Sequence, residues 1–214
     1  MAKNPDDPSI MSTARTEAYS DAVFAIAATL LVLDLTTATI GRVTTDAELW
    51  AALGAMMPNF IAFGVSFALL SMLWVIHARQ FRDIARVDEP LLWLNNARLL
   101  FIVLIPFTTS LTAEYSEYYA GRMLFPINFF FAALMGFLSW EWASRGGRLL
   151  REGIADARAQ GVGGRAAVMI AAVVAVISPW VGSWAFFLYF LNGPLTALLS
   201  RRTRGPRDVV GGAG

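Results

Sequence analysis

Long apolar blocks alternate along this chain with short segments that carry most of its charge. A helix that crosses a bilayer needs about 20 mostly apolar residues. The pattern predicts such helices over residues 18–37, 50–77, 91–112, 123–142, 165–179 and 182–200. The turn at 178–184 is so short that the last two helices are expected to form a hairpin. We therefore predict an all-α, polytopic membrane protein with six transmembrane helices.

The composition agrees with a membrane protein. Of the 214 residues, 57% are hydrophobic and 15% are charged, whereas a soluble domain carries about 25% charged residues. The chain contains no cysteine, which excludes disulfides and thiol chemistry. No cofactor, resident metal or nucleic-acid partner is predicted, and membrane lipid is the expected surrounding. We interpret residues 1–14 as a cytoplasmic tail, 15–200 as the transmembrane domain and 201–214 as a basic, disordered cytoplasmic tail.

Basic residues are concentrated in alternate connections between the predicted helices, and such connections face the cytoplasm. They lie before the first helix, between the second and third, between the fourth and fifth, and after the sixth, at Lys3, Arg15, Arg79, Arg82, Arg86, Arg145, Arg148, Arg151, Arg158, Arg165, Arg201, Arg202, Arg204 and Arg207. The other connections contain only Arg42 and Arg122. Both termini are therefore expected in the cytoplasm, and six spans agree with this, because an even number returns the chain to the side on which it began.

The first predicted helix has one bulky apolar stripe. At about 100° per residue, Ile26, Leu30 and Leu33 lie on one face, with Thr29 at its margin. Asp21 points to a different side of the helix. Contact with lipid or with the protein core would explain such a stripe in most membrane-spanning helices, so the pattern alone does not assign it a function.

A polar cluster opens the same helix, at Arg15, Tyr19, Ser20 and Asp21. A carboxylate inside a membrane span is rare and is usually paired. The candidate partners of Asp21 are Arg15, Arg98 and His77. His77, the only histidine, has no second metal ligand in view and is predicted to belong to the same hydrogen-bonded cluster.

The sequence Arg15-x-x-x-Tyr19-Ser20-Asp21, followed by AVFAIAATLLVL, resembles the Arg-x-x-x-Phe-Ser-Asp signature of the transmembrane protein 175 family. These proteins are potassium channels of prokaryotic membranes and animal lysosomes. Tyr19 departs from the signature but keeps the aromatic ring. Trp93, Asn96 and Pro106-Phe107 also resemble the family pattern. A single six-helix unit is similar to the bacterial form, which implies the plasma membrane of a prokaryote.

The resemblance implies a homotetramer in which the first helix of each subunit lines a central pore. Potassium ions are the implied partner, and Ile26, Leu30 and Leu33 are the implied aliphatic constriction. Thr29 matches a hydroxyl that contributes to selectivity in bacterial members. The same resemblance, read with the helix wheel, makes the cluster of Arg15, Tyr19, Ser20, Asp21 and His77 a structural network rather than part of the ion path. Potassium selectivity is expected to be modest.

Two other functions fit a polytopic membrane protein of this size. A small secondary transporter would place ionisable groups near the membrane midplane, but the centres of the predicted spans lack them. A non-conducting assembly protein is compatible with the composition and is disfavoured only by the signature. A membrane enzyme is not predicted, because the chain has no H-E-x-x-H motif, nucleophile elbow or phosphate-binding loop.

Overall fold

The computed structural model describes residues 11–37, 40–147, 149–151 and 157–191, together with 193 and 195. Within these residues the chain forms seven α-helices, α1 Thr13–Leu30, α2 Asp46–Ala55, α3 Met57–Asp83, α4 Glu89–Val103, α5 Ile105–Glu114, α6 Tyr119–Ser144 and α7 Ala157–Val181. Two short strands are present, β1 Met11–Ser12 and β2 Arg86–Val87. The 3₁₀ helices Leu31–Asp34, Arg145–Gly147 and Gly182–Leu191 continue α1, α6 and α7.

Five stretches of the described chain are long and apolar enough to cross a membrane, Thr13–Leu33, Met57–Asp83, Glu89–Glu114, Tyr119–Ser144 and Gly161–Val181. The all-α, multi-pass prediction is therefore confirmed. The sixth predicted span is only partly described: residues 182–191 form a 3₁₀ helix that turns away from α7 at Gly182, where φ is +67°. Most of 192–200 and both predicted tails except residues 11–14 lie outside the described residues.

Two prolines shift the boundaries of the second and third spans. The predicted helix 50–77 is interrupted at Met56, and α3 then begins with Pro58 in its first turn and continues to Asp83. The predicted helix 91–112 is interrupted at Leu104, before Pro106 in the first turn of α5. Proline has no N–H, so it is favoured in a first helical turn, whereas in an interior turn it removes a backbone hydrogen bond. The predicted second span is therefore divided into α2 and α3, of which α3 alone is long enough to cross a membrane, and the third span consists of α4 and α5.

The fifth span is longer than predicted. Its glycines, at 161, 163 and 164, disfavour a helix by about 1 kcal/mol each, which is why the sequence suggested a loop there. In the structure they allow α7 to lie close to α6, since a Cβ on Gly164 would be 3.0 Å from the Phe137 ring. Small residues at such a contact stabilise helix pairs in membranes. In the connection before α7, the apolar Leu149, Leu150 and Ile154 between terminal glycines also suggest a short amphipathic helix at the membrane surface, but residues 148 and 152–156 lie outside the described residues.

The buried residues form two separate clusters. The larger one joins α1, α3, α4, α5, α6, α7 and the last 3₁₀ helix, with Phe24, Leu69, Phe129 and Tyr189 among its members. The smaller one lies at the end of the bundle near the N-terminus of α1, and consists of Phe81, Ile84, Val87, Leu91, Ala143 and Leu149. Beside it β1 pairs antiparallel with β2, with Ser12 opposite Arg86. Ser12 also caps α1, its hydroxyl accepting a hydrogen bond from the Ala14 amide.

Candidate functional site: the first helix and its polar supports

One face of α1 packs into the protein and another does not. Its buried residues recur every three or four positions, at Thr13, Thr16, Ser20, Phe24 and Ala27. Ile26 is 59% exposed, Leu30 38% and Leu33 66%. The apolar stripe predicted from the sequence is therefore unpacked in the single chain and must be covered by lipid, by water or by another copy.

The backbone that carries the stripe changes at Leu31, where α1 has ended and a 3₁₀ helix begins. Residues three apart eclipse one another in a 3₁₀ helix, so Leu33 is brought into line above Leu30. Thr29 is exposed beside them, and its Oγ1 donates a hydrogen bond to the carbonyl of Ile26 at 2.8 Å. That bond holds the threonine oxygen in place and leaves it able to accept a further hydrogen bond or contact a cation.

Ser20 is the most deeply buried member of the signature, with 0% exposure. Its Oγ donates to the carbonyl of Thr16 at 2.8 Å and accepts a hydrogen bond from Asn95 Nδ2 at 3.0 Å. Asn95 is on α4, so this pair joins the first helix to the third span. The sequence pointed only to the neighbouring Asn96, as part of the resemblance to the family, and gave no sign that Asn95 would meet Ser20.

Asp21 is bound to α3 rather than to a cation. The indole Nε1 of Trp74 donates to its carboxylate at 2.9 Å. The expectation that Asp21 pairs with Arg15, Arg98 or His77 is therefore wrong. Its carboxylate accepts a hydrogen bond from its own subunit, but the residue remains exposed. The position of Trp74 near the end of a predicted span indicates only an interfacial aromatic residue and gives no sign of a specific partner.

The other two signature residues do not join this network. Tyr19 is 58% exposed, and Arg15 is also exposed. Both lie on the same side of α1 as Ile26, because Tyr19 is seven residues and Arg15 eleven residues before it, close to whole helical turns. The structure therefore separates the signature into an inward half, at Ser20 and Asp21, and an outward half.

His77 belongs to a neighbouring buried network. Arg98, 1% exposed, donates from Nη1 to His77 Nδ1 at 3.3 Å and to Gln80 Oε1 at 3.1 Å, and from Nη2 to the carbonyl of Leu73 at 3.0 Å. A guanidinium has no acceptor, so Nδ1 accepts and the ring proton is on Nε2. His77 contacts α1 through the ring of Phe24, whose centroid is 5.5 Å away.

A groove with a volume of about 370 Å³ lies between α1 and α3. Its lining residues are Asp21, Phe24, Ala25, Ala28, Leu70, Ser71 and Trp74. Its walls are apolar apart from the carboxylate and one hydroxyl. Among the residues that the structure describes, no three His, Cys, Asp or Glu side chains are placed to hold a metal ion.

Known proteins share this architecture. The family described as "Endosomal/lysosomal potassium channel TMEM175" matches residues 15–106. A potassium channel of Chamaesiphon minutus is 34% identical over 154 residues, which cover 68% of this chain and 72% of that protein. A potassium channel of Streptomyces collinus is 43% identical over 101 residues, 47% of this chain and only 48% of that protein.

An animal relative and a solved structure extend the comparison. The bovine protein named endosomal/lysosomal proton channel TMEM175 is 34% identical over 153 residues, 67% of this chain and 31% of that protein. The crystal structure of a lysosomal potassium-selective channel TMEM175 homolog from Chamaesiphon minutus superposes with a TM-score of 0.68 at 25% identity, covering 90% of this chain and 98% of that one.

The membrane-length helices define a multi-pass membrane protein, and the family and bacterial relatives that it matches are ion channels by name. The sequence match to the Chamaesiphon channel covers more than two thirds of both proteins, and the backbones superpose. The chain belongs to the TMEM175 family of potassium channels, in its prokaryotic form.

Proposed function

We propose that this protein is a potassium-selective cation channel in which α1 of each of four subunits lines a central pore. The unpacked apolar stripe of Ile26, Leu30 and Leu33 carries the proposal, because it is presented on a helix whose other face is fixed by Ser20 and Phe24. Four copies arranged around an axis would bring these side chains together as stacked aliphatic rings. Potassium channels are also the named relatives among bacteria.

An aliphatic ring selects ions by a different principle from a ring of carbonyls. In a continuous helix the carbonyls are bonded to their own backbone and cannot replace the water around an ion. The pore therefore closes when water leaves the space inside the aliphatic ring, and it opens when that ring widens. An ion that crosses with much of its water retained is selected by the cost of partial dehydration, which is lower for potassium than for sodium, so selectivity is modest.

Thr29 supplies the polar contact beside this constriction. Its oxygen is held by the Ile26 carbonyl and is exposed between the levels of Ile26 and Leu30. A ring of four such oxygens would compensate a cation for part of the water it loses at the neighbouring aliphatic ring. Asp21, Ser20 and His77 are then supports that hold α1 in position, outside the ion path.

The proposed topology follows from charge. The arginines in alternate connections place both termini in the cytoplasm of a prokaryotic cell, with the protein in the plasma membrane. An even number of spans is required for this, so residues 182–200 complete a sixth span in the proposal. Cysteine scanning suits this chain, because it has no native cysteine. Labels at residue 14 and at the exposed Val181, at the end of the fifth span, that react from opposite sides would support the arrangement.

Liposome flux tests the function. The purified protein is reconstituted with a potassium gradient, and potassium efflux is followed with a proton-coupled dye and a protonophore. Ile26→Ala should raise efflux by widening the ring, while Val176→Ala, which trims a similarly exposed residue on α7, should leave it unchanged. Efflux that saturates at low turnover would indicate a transporter, and no efflux from correctly assembled protein would indicate an assembly protein.

Proton conduction is a second candidate, favoured by the name of the bovine relative. The same assay distinguishes it when the protonophore is omitted. A potassium-only channel builds up a voltage and gives no dye response, whereas a protein that also conducts protons gives a response without the protonophore. Vesicles without protein are the matched control and should give no dye response.

A further inference from the structure

Three exposed arginines share one small platform at the end of the bundle near the N-terminus of α1. Arg82 is in the last turn of α3, and Arg86 is in β2. Arg151 is bound to the same turn: its amide donates to the carbonyl of Asp83 at 2.9 Å, and its Nε donates to the carbonyl of Arg82 at 2.8 Å. The sequence places Arg151 far from the other two, so only the fold brings the three together.

The base of this platform is packed. The amide of Arg86 donates to the carbonyl of Leu149 at 3.2 Å. Ile84, Val87 and Leu149 have exposures of 1%, 0% and 3%. The guanidinium groups therefore extend from a backbone that is held by hydrogen bonds and by the smaller hydrophobic cluster, rather than from a loose loop.

The platform presents positive charge that its own residues do not satisfy. Within the described part of the chain, the ion pair resolved is that of Arg165 with Glu141 at 3.3 Å, and none involves Arg82, Arg86 or Arg151. Asp88 faces the other way, accepting hydrogen bonds from the Trp142 indole and the Leu91 amide. Asp83 lies in the same turn and balances part of the charge.

The platform lies at a membrane surface. The second span ends at Asp83 and the third begins at Glu89, so Arg82 lies in the last turn of the second span and Arg86 in the short connection that follows it. Trp93, one turn into α4, is 68% exposed, as is usual for aromatic residues at the headgroup level. Lipid phosphates are concentrated at the headgroup level. We therefore take a lipid, rather than free phosphate in solution, as the anion that these arginines meet.

We propose that Arg82, Arg86 and Arg151 form a binding site for the anionic headgroup of a phospholipid in the leaflet on the side of the α1 N-terminus. Guanidinium groups bind phosphate oxygens through charge-assisted, often bidentate hydrogen bonds, and basic clusters beside a span attract anionic lipid. Arg86 is opposite Ser12 in the β1–β2 pair, and Ser12 caps α1. A headgroup bound at Arg86 therefore restrains the first turn of α1. The site does not depend on the proposed channel function.

Native mass spectrometry of the full-length protein in detergent tests the site, with phosphatidylglycerol, phosphatidylcholine and inorganic phosphate as probes. Phosphatidylglycerol should bind in preference to phosphatidylcholine, and Arg86→Gln should weaken it roughly fivefold, the share of one arginine at a membrane surface. Arg165→Gln, which removes the same charge from an arginine that already has a carboxylate partner, should leave binding unchanged.

Unaltered binding in both Arg86→Gln and Arg82→Gln, or an equal loss in Arg165→Gln, would overturn the site. Displacement of the lipid by inorganic phosphate would overturn the assignment to a lipid.

The link to α1 is tested separately with a spin label. Ala14→Cys places a single label in the exposed first turn of α1, since the chain has no other cysteine. Addition of phosphatidylglycerol should reduce the mobility of the label, and Arg86→Gln should abolish that reduction while the melting temperature of the protein stays the same. A reduction of equal size in both proteins would overturn the link between the platform and α1.

Discussion

The indole Nε1 of Trp74 donates a hydrogen bond to the carboxylate of Asp21 at 2.9 Å, and this bond joins α3 to α1. The preceding residue, Ser20, is joined to α4 through Asn95. Two consecutive residues of the signature therefore attach the first helix to two different helices. The apolar stripe contributes little to this attachment, which leaves its side chains available for another role.

Loss of the Trp74–Asp21 bond should impair assembly rather than conduction. We expect Asp21→Ala and Trp74→Phe each to lower the yield and melting temperature of the folded protein, and a double-mutant cycle to give a coupling of about 1 kcal/mol, as for a hydrogen bond to an exposed charged group. Asp21→Asn, which keeps an acceptor, should fall between wild type and Asp21→Ala. An altered unitary conductance with normal assembly in Asp21→Asn would contradict a supporting role.

Thr29 should influence selectivity more than stability. Thr29→Val has nearly the same shape and removes the oxygen held by the Ile26 carbonyl, so we expect a lower potassium-to-sodium permeability ratio in bilayer recordings. Thr29→Ser keeps the hydroxyl and should keep most of the ratio. Leu30→Asn should act differently, by wetting the constriction and raising the current for both ions. Equal ratios in wild type and Thr29→Val would exclude Thr29 from the ion path.

Gly136 allows the buried guanidinium of Arg98 to approach α6. A Cβ at this position would be 2.9 Å from Arg98 Cζ, so Gly136→Ala must displace a side chain that makes three hydrogen bonds. We expect a destabilisation of about 1–3 kcal/mol, the usual cost of overpacking, measured as a lower melting temperature in detergent. Gly64→Ala is the control, because a Cβ at Gly64 has nothing within 4 Å in the subunit. A melting temperature equal to that of wild type in Gly136→Ala would disprove the close contact.

The segment before α2 should lose order in acid. Glu48 Oε2 accepts hydrogen bonds from the Thr44 amide at 2.7 Å and the Thr44 hydroxyl at 3.0 Å, and the bond from the backbone amide is the main reason that the pKa of Glu48 lies below its ordinary value of 4.5. A depressed folded-state pKa means that this contribution is present above pH 4.5 and is lost as the pH falls through the folded value. Carboxyl NMR of Glu48 should give that lower pKa, and Thr44→Pro, which lacks the amide donor, should return it toward 4.5.

Most of the architecture could be predicted from local pattern. Hydrophobicity and the helical repeat predicted the membrane class, the approximate position of five spans and the apolar stripe on one face of α1. Both are properties of short windows of sequence. The errors at Met56 and Leu104 arose because an apolar run continues across a proline, while the backbone hydrogen bonds do not. The late start predicted for α7 arose because its glycines reduce helix propensity but favour contact with α6.

The partners of polar side chains could not be predicted in the same way. Asp21 had three candidate partners, two arginines and a histidine, and the structure pairs it instead with Trp74, 53 positions along the chain. Hydrophobic periodicity by itself determined that α1 would have an apolar stripe, because a helix places every third or fourth residue on one side regardless of its surroundings. Only the tertiary structure decided that Asn95 and Trp74 hold that helix and that Arg151 joins Arg82 and Arg86, because a hydrogen bond requires atoms about 3 Å apart and the packing of distant helices determines which atoms meet.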